Sequence, residues 1–342
     1  MTTMKAKPIK VGIAGMGRSG EEMHANYIAQ IGEFQLEAIC DATPARLKQS
    51  KKTLKARKAY STYDEMLADS AIELVVVATP SHAHCEMVLA ALERGKHVLV
   101  EKPVALNLED FEQMEKSAEQ RGLVLGCYHN RRWDGDYLRV RKVLEDGLLG
   151  NIFEIQSRCI GYGPGLRTFG VPEFRPQWRA EKAYGGGQLY DWGSHLIDQV
   201  LMMVPSEIEA VYADLKSIVW SKEVDDHFKV LVKFQNGTTA EIESSSDCRI
   251  TLPRWFIAGD KGTLSGTWSE LRVRSEMVDC ADEIVLSALP NDWHAPYRNL
   301  AEVIRDGAAL AIKPREVKRT VAVIDAAILS SSRRESVKPK LH

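Results

Sequence analysis

The segment Lys10-Val11-Gly12-Ile13-Ala14-Gly15-Met16-Gly17-Arg18-Ser19-Gly20 reads as an apolar strand, a glycine-rich turn and the opening of a helix. Its glycines follow the pattern GxGxxG. Gly15 permits a tight turn, Gly17 lets the backbone approach a pyrophosphate, and Gly20 lets the helix pack closely on the strand. A diphosphate would rest on the unpaired amides where the helix begins, so Met16, Arg18 and Ser19 join the three glycines as a candidate cradle. The pattern recurs by chance in many chains, and the strand before it and helix after it give it meaning. Asp41 follows the next strand pattern, Phe34–Cys40, at the place where a carboxylate accepts hydrogen bonds from an adenosine ribose. A carboxylate there repels a 2′-phosphate, which favours NAD over NADP; Arg46 and Lys48 lie close enough in sequence to moderate that preference. The plainer reading of Asp41 is a turn residue ahead of Thr43-Pro44.

Working outward, the first 128 residues alternate between apolar runs and amphipathic stretches. Strands are predicted at Ile9–Ala14, Phe34–Cys40, Leu74–Ala78, His97–Val100 and Leu123–Cys127. Helices are predicted at Gly20–Gln30, Pro44–Ala56, His82–Arg94 and Asn107–Gln120, with Thr43 as a cap before Pro44 and Thr62 with Glu65 as a capping box. Continuously apolar strands separated by helices imply an α/β doubly wound parallel sheet, a Rossmann domain over 1–128.

The texture changes after Tyr128. A helix over Asp136–Glu145, a strand over Ile152–Ile160 and a Gly-, Pro- and Arg-rich loop precede a helix at Leu189–Met203. Consecutive strands then run from about 207 to 278, with Asn236-Gly237 and Gly259-Asp260-Lys261-Gly262 as turn signals. Two helices close the chain, split by Pro314. This makes 129–342 an α+β domain with a large open, mainly antiparallel sheet.

Composition narrows the function. The 342 residues carry 45 Lys and Arg against 47 Asp and Glu, a net charge of −2 that offers no field for nucleic acid or an anionic membrane. No apolar run is long enough to span a bilayer, and the first ten residues lack a signal-like apolar region, so a cytoplasmic location is expected. Six cysteines are scattered without a CxxC pair, which suits reduced thiols and gives no metal-ligand spacing.

Two clusters carry chemistry. Glu101-Lys102-Pro103 ends the fifth predicted strand, and ligands of open α/β sheets bind outside the carboxyl ends of strands. Lys102 would therefore point into the crevice, and Pro103, if cis, would aim it at the cofactor; alone, it would read as a surface lysine. In Leu189-Tyr190-Asp191-Trp192-Gly193-Ser194-His195-Leu196-Ile197-Asp198, Asp191 and His195 are spaced i, i+4, so on an α-helix they share a face. A histidine beside a carboxylate is a good proton acceptor near neutral pH. The alternatives are a buried structural histidine or a metal ligand lacking its companions.

These motifs, with Thr79-Pro80-x-x-x-His84, resemble the glucose–fructose oxidoreductase/inositol dehydrogenase (Gfo/Idh/MocA) family over nearly the whole chain. The run from Tyr128 through Asn130, Arg131, Arg132 and Trp133 to Asp136 is similar to its scyllo-inositol dehydrogenase-like branch. The resemblance implies Lys102, Asp191 and His195 as a catalytic trio. It implies Thr79, Pro80, His84 and Glu101 as further cofactor contacts, a sugar or cyclitol substrate, and a dimer or tetramer packed through the open sheet. Asp41 departs from the NADP-preferring members of that branch, which carry small and basic residues there.

The expected reaction is hydride transfer between the nicotinamide and a hydroxyl-bearing carbon. His195 takes the hydroxyl proton, Asp191 orients His195, and Lys102 stabilises developing alkoxide charge. Asn130, Arg131, Arg167, Arg175, Trp178 and Arg179 are candidates to recognise substrate. Three other readings fit the same motifs: NAD-dependent redox-assisted glycoside cleavage, reduction of an unsaturated or imine substrate, and a non-catalytic NAD sensor.

Overall fold

The computed structural model describes residues 7–168, 177–278 and 283–341. Six parallel strands form the first sheet: β1 (Ile9–Ala14), β2 (Phe34–Cys40), β3 (Lys58–Tyr60), β4 (Leu74–Val77), β5 (His97–Val100) and β6 (Leu125–Cys127). Their order is β3-β2-β1-β4-β5-β6. Every residue of β4, Leu-Val-Val-Val, is buried, as a strand covered on both faces requires. The covering helices are α1 (Asn26–Gln30), entered through a π-helical turn at Ser19–Ala25, then α2 (Pro44–Thr53), α3 (Tyr63–Ala68), α4 (His84–Glu93) and α5 (Leu108–Arg121). Strand order reverses between β1 and β4, which opens a crevice at their carboxyl ends.

Thr62 caps α3 by accepting the Glu65 N–H at 3.4 Å. The cap expected of Thr43 is absent: its side chain makes no capping bond to α2, and its own N–H donates to Asp41 Oδ1 at 2.8 Å. Strand β3 has no signal in the sequence, because three partly exposed residues on a sheet edge leave no apolar signature.

The second half contains α6 (Gly135–Glu145), β7 (Ile152–Ile160), the short α7 (Gly165–Thr168) and α8 (Ser194–Met203), the last entered through a second π-helical turn at Leu189–Gly193. Strands β8 (Ile208–Lys216), β9 (His227–Phe234), β10 (Thr239–Ser245), β11 (Trp255–Gly259), β12 (Gly262–Gly266), β13 (Glu270–Ser275) and β14 (Ile284–Ser287) follow. Helices α9 (Ala295–Asp306) and α10 (Pro314–Arg333) come last. The eight-stranded sheet runs β14-β13-β12-β11-β7-β10-β9-β8 and is antiparallel except where β7 meets β10. One face packs on α6, α8 and α10 through Tyr137, Val140, Leu196, Val200, Val323 and Ala327. The opposite face has a continuous register row from Tyr212 through Leu231, Glu241, Gln156, Phe256, Ser265 and Arg272 to Val285. Tyr212, Leu231 and Val285 on that row are exposed.

The end of the chain returns to the first sheet. Tyr297, Leu300 and Ala301 of α9 share a core with Ile9, Val11 and Ile13, and Val317 and Val321 of α10 share one with Val98, Val100 and Phe111. The span 129–342 thus supplies packing to both sheets. Helical periodicity shows that α9 has an apolar face but not which sheet it covers. Cys40, Cys85, Cys127, Cys159 and Cys248 are free thiols, and Cys280 lies outside the described residues. Among the described residues no helix is long and apolar enough to cross a membrane, and no cluster of His, Cys, Asp and Glu is arranged to hold a metal.

Candidate active site

The glycine loop shapes one wall of the crevice. Gly15 has φ 89°, and a Cβ there would lie 2.6 Å from the Ala78 carbonyl oxygen, so the exits of β1 and β4 touch at this residue. A Cβ on Gly20 would come within 1.9 Å of the Gly15 oxygen. Gly17, in contrast, has nothing within 4 Å of where its Cβ would be and faces open space. That space is a groove of about 430 Å3 lined by Gly15, Gly17, Arg18, Ser19, Thr79 and Pro80, and by Asp41, Arg46, Glu101 and Lys102. Its shape and donors suit a dinucleotide, with bare backbone where a diphosphate would lie and a carboxylate at the β2 exit.

Asp41 is tied into the loop. Its Oδ2 accepts the Met16 N–H at 2.8 Å while Oδ1 accepts that of Thr43. Each oxygen keeps a second lone pair for a ribose hydroxyl. Met16, expected in the cradle, is fully buried and does not line the groove; its N–H is taken by Asp41 and its carbonyl oxygen by Arg46. Arg46 lines the groove but is ion-paired with Glu21 at 2.5 Å, and Lys48 does not line it. His84 stands back from the groove: its ring nitrogens face the carbonyl oxygens of Pro103 at 2.8 Å and Thr79 at 3.0 Å, joining two loops of the crevice. Burial holds the His84 imidazole below the usual histidine range.

A second cavity of about 150 Å3 adjoins the groove and is lined by Asn130, Arg131, Arg179, Asp191, Trp192 and His195. Arg18, Ser19, Glu101, Lys102 and Arg179 line both spaces. The Lys102–Pro103 peptide is cis. Lys102 Nζ donates to Asp191 Oδ1 at 2.6 Å and to the Asp191 carbonyl oxygen at 2.9 Å. Burial alone would raise the Asp191 carboxyl, but Lys102, Arg179 and Arg131 outweigh it and hold it at about 2. Asp191 is therefore ionised and a poor proton acceptor.

The expected Asp191–His195 partnership is not present. Asp191 turns to Lys102, and the buried His195 Nδ1 has no hydrogen-bond partner among the described residues. The reason is local: Leu189–Gly193 is a π-helical turn, whose bonds run i to i+5, so residues four apart no longer stack one above the other. Burial first, then the charges of Lys102 and Arg131, push the His195 imidazole well below its ordinary range and keep it neutral.

Glu101 is buried and does not reach forward as a free carboxylate. It accepts from His24 Nε2 at 3.0 Å and from the Lys102 N–H at 3.0 Å. Burial raises its carboxyl, but His24 and Lys102 more than offset this and lower it. With Nε2 donating to Glu101, His24 Nδ1 accepts the Tyr297 hydroxyl. Sequence reasoning missed both His24 and Tyr297. The only available signal was a histidine on the buried side of the helix that follows the glycine loop.

The substrate candidates separate. Asn130 is buried at the second cavity. Arg131 lies 2.7 Å from Asp134, with its guanidinium 4.4 Å from the Trp192 ring, so Trp192 forms a wall that the sequence did not single out. Arg179 stacks 4.3 Å over Trp178 and reaches Asp191 at 3.8 Å, while Trp178 lines the groove and not the second cavity. Arg167 lines neither space and donates to Gln177 at 3.1 Å. Arg175 lies outside the described residues.

Residues 9–129 match the oxidoreductase family Gfo/Idh/MocA, NAD-binding Rossmann fold, and residues 137–265 match the Gfo/Idh/MocA C-terminal domain. The chain belongs to the Gfo/Idh/MocA family. This Gfo/Idh/MocA protein is similar to scyllo-inositol 2-dehydrogenase (NADP(+)) of Bacillus subtilis, at 29% identity over 97% of this chain and 96% of that one. It is also similar to myo-inositol 2-dehydrogenase of Thermotoga maritima, at 29% identity over 69% of this chain and 68% of the other. The solved structure of the Bacillus subtilis oxidoreductase YvaA superposes with a TM-score of 0.85 at 27% identity, over 98% of this chain and 99% of that one. The Gfo/Idh/MocA chain described here is a nicotinamide-dependent oxidoreductase with a Rossmann half and a half built on an open sheet.

Proposed function

We propose that this enzyme is a dehydrogenase of CH–OH groups that oxidises a cyclitol, sugar or sugar derivative with NAD. The observation that carries the reading is Lys102, whose ammonium is held by Asp191 where the groove and the second cavity meet. Bound NAD supplies the hydride acceptor. Gly15, Gly17 and Ser19 would hold its diphosphate and Asp41 its adenosine ribose, and the carboxylate of Asp41 disfavours a 2′-phosphate.

The chain's own groups perform the rest. Lys102 donates a hydrogen bond to the reacting oxygen and stabilises charge that develops there, while Asp191 keeps the ammonium in place. His195, neutral in its buried setting, accepts the hydroxyl proton; Asp191 is too weak a base for that role. Asn130 and Arg131 face the remaining hydroxyls, with Trp192 as the apolar wall. The exposed row of Tyr212, Leu231 and Val285 supports self-association through the open sheet as a dimer or tetramer, and the free thiols support work in the reducing cytoplasm. A balanced charge favours neither nucleic acid nor membrane as a partner.

The test is a panel of inositols, sugars and sugar acids incubated with NAD or NADP, following absorbance of the reduced nicotinamide. Reduction with at least one polyhydroxylated ring compound is expected, and its absence across the panel with both coenzymes would overturn the reading.

A further inference from the structure

Arg46 stands beside Asp41 at the β2 end of the coenzyme groove, where an arginine in other dinucleotide enzymes receives the 2′-phosphate of NADP. Here its charge is already engaged. Nη2 lies 2.5 Å from Glu21 Oε2, and Nε donates to the Met16 carbonyl oxygen. Glu21 in turn accepts Ser50 Oγ at 2.6 Å and Thr53 Oγ1 at 2.7 Å, so two hydroxyls of α2 fix the carboxylate in this position. Both side chains of the pair are largely sheltered, with 13% and 16% of their surfaces exposed, so solvent screens the ion pair only partly. Met16 is gripped from both sides, its N–H by Asp41 and its carbonyl oxygen by Arg46.

We propose that Glu21 is a positioning residue for coenzyme choice: it holds Arg46 against the glycine loop and withholds that guanidinium from a 2′-phosphate. This rests on the NAD reading above and deepens it. Asp41 repels the extra phosphate, and Glu21 removes the cation that would otherwise offset the repulsion. Glu21 need not touch the coenzyme, since its effect passes through Arg46.

The variant Glu21→Gln retains hydrogen-bonding capacity toward Ser50 and Thr53 and removes the charge that pairs with Arg46. Calorimetric titration with the adenosine fragments 2′,5′-ADP and 5′-AMP reads the effect without turnover. The variant is expected to bind 2′,5′-ADP at least about tenfold more tightly, the value of roughly one charge-assisted hydrogen bond, with 5′-AMP affinity changed by less than about twofold. Adding Arg46→Gln should restore the wild-type ratio of the two affinities. A ratio unchanged in Glu21→Gln, whether both affinities fall together or neither moves, overturns the proposal and leaves Glu21 a helix-to-helix tie. If Glu21→Gln fails to fold, Glu21→Asp decides, because the shortened carboxylate retreats from Arg46 and the ratio should shift the same way; an unshifted ratio there overturns it equally. Wild type that prefers 2′,5′-ADP also overturns it, while hydride transfer with NADP would leave the dehydrogenase reading intact.

Discussion

Lys102 Nζ and Asp191 Oδ1, 89 residues apart in sequence, meet at 2.6 Å and join the loop after β5 to the π-helical turn before α8. The two halves of the molecule are thus pinned at the point where coenzyme and substrate spaces touch. The ion pair makes Lys102 a fixed donor rather than a mobile surface cation.

Lys102→Met keeps most of the stem and removes the charge and the donors. Loss of a positioned donor at a developing oxyanion costs about 100- to 1000-fold in turnover. Coenzyme affinity should change far less, because the glycine loop and Asp41 remain. Single-turnover hydride transfer and NAD titration on the same variant check both parts, and near-normal transfer would remove Lys102 from the chemistry.

Asp191→Asn should act through the lysine. Turnover is expected to fall, but the double variant Lys102→Met/Asp191→Asn should be about as slow as Lys102→Met alone, because the two groups form one unit. Multiplicative losses in the double variant would mean that Asp191 works independently, for example on His195.

The pH dependence follows from His195. Only the neutral imidazole accepts the alcohol proton, and burial with nearby cations pushes its pKa down. The rate of alcohol oxidation should therefore hold as pH falls through about 6.5, the ordinary histidine value, and drop only below it. His195→Ala should lower turnover strongly, leave NAD binding nearly intact and lose this acid limb. A limb that survives the substitution belongs to another group.

His129 offers a stability test free of catalysis. Burial lowers its folded-state pKa, so between that value and about 6.5 the unfolded chain binds a proton that the native chain does not. Its stabilising contribution is complete above about pH 6.5 and is lost as pH falls, by up to about 1.4 kcal/mol per pH unit. Asp225, raised by burial to about 7, and Asp247, raised to about 6, act in the opposite sense over the same range, so wild-type stability alone will not isolate the histidine. Urea denaturation of wild type and His129→Gln at pH 7 and pH 5 should show the difference in stability between them shift toward the variant at pH 5. A difference that does not change with pH would contradict it.

Much of the fold was legible because its signals are local. The apolar run Ile9–Ala14, the glycines after it and the turn at Asn236-Gly237 each announce themselves within a few residues. What was not legible depends on distant partners or on an altered helical period. Strand β3 exists because β2 offers an edge, not because Lys58-Ala59-Tyr60 is a strong strand sequence. Asp191 and His195 pair only if four residues span one α-helical turn, and the π turn breaks that spacing. Glu101 reads as a groove carboxylate until His24, 77 residues away, is seen to bind it. Trp192 lies between Asp191 and His195 in sequence, and only the fold brings the Arg131 guanidinium over its ring.

The path from Tyr297 through His24 to Glu101, which donates order to the backbone of Lys102, has a consequence for biosynthesis. The nucleotide half precedes the open sheet in the chain, yet the hydroxyl that completes this support and the residues Leu300 and Ala301 that close its core follow that sheet. A ribosome therefore releases the first sheet with one flank uncovered, and that flank is sealed only after the open sheet and the helix carrying Tyr297 have been made. Coenzyme binding is therefore expected to mature only once α9 has docked on the first sheet, rather than with the nucleotide half alone.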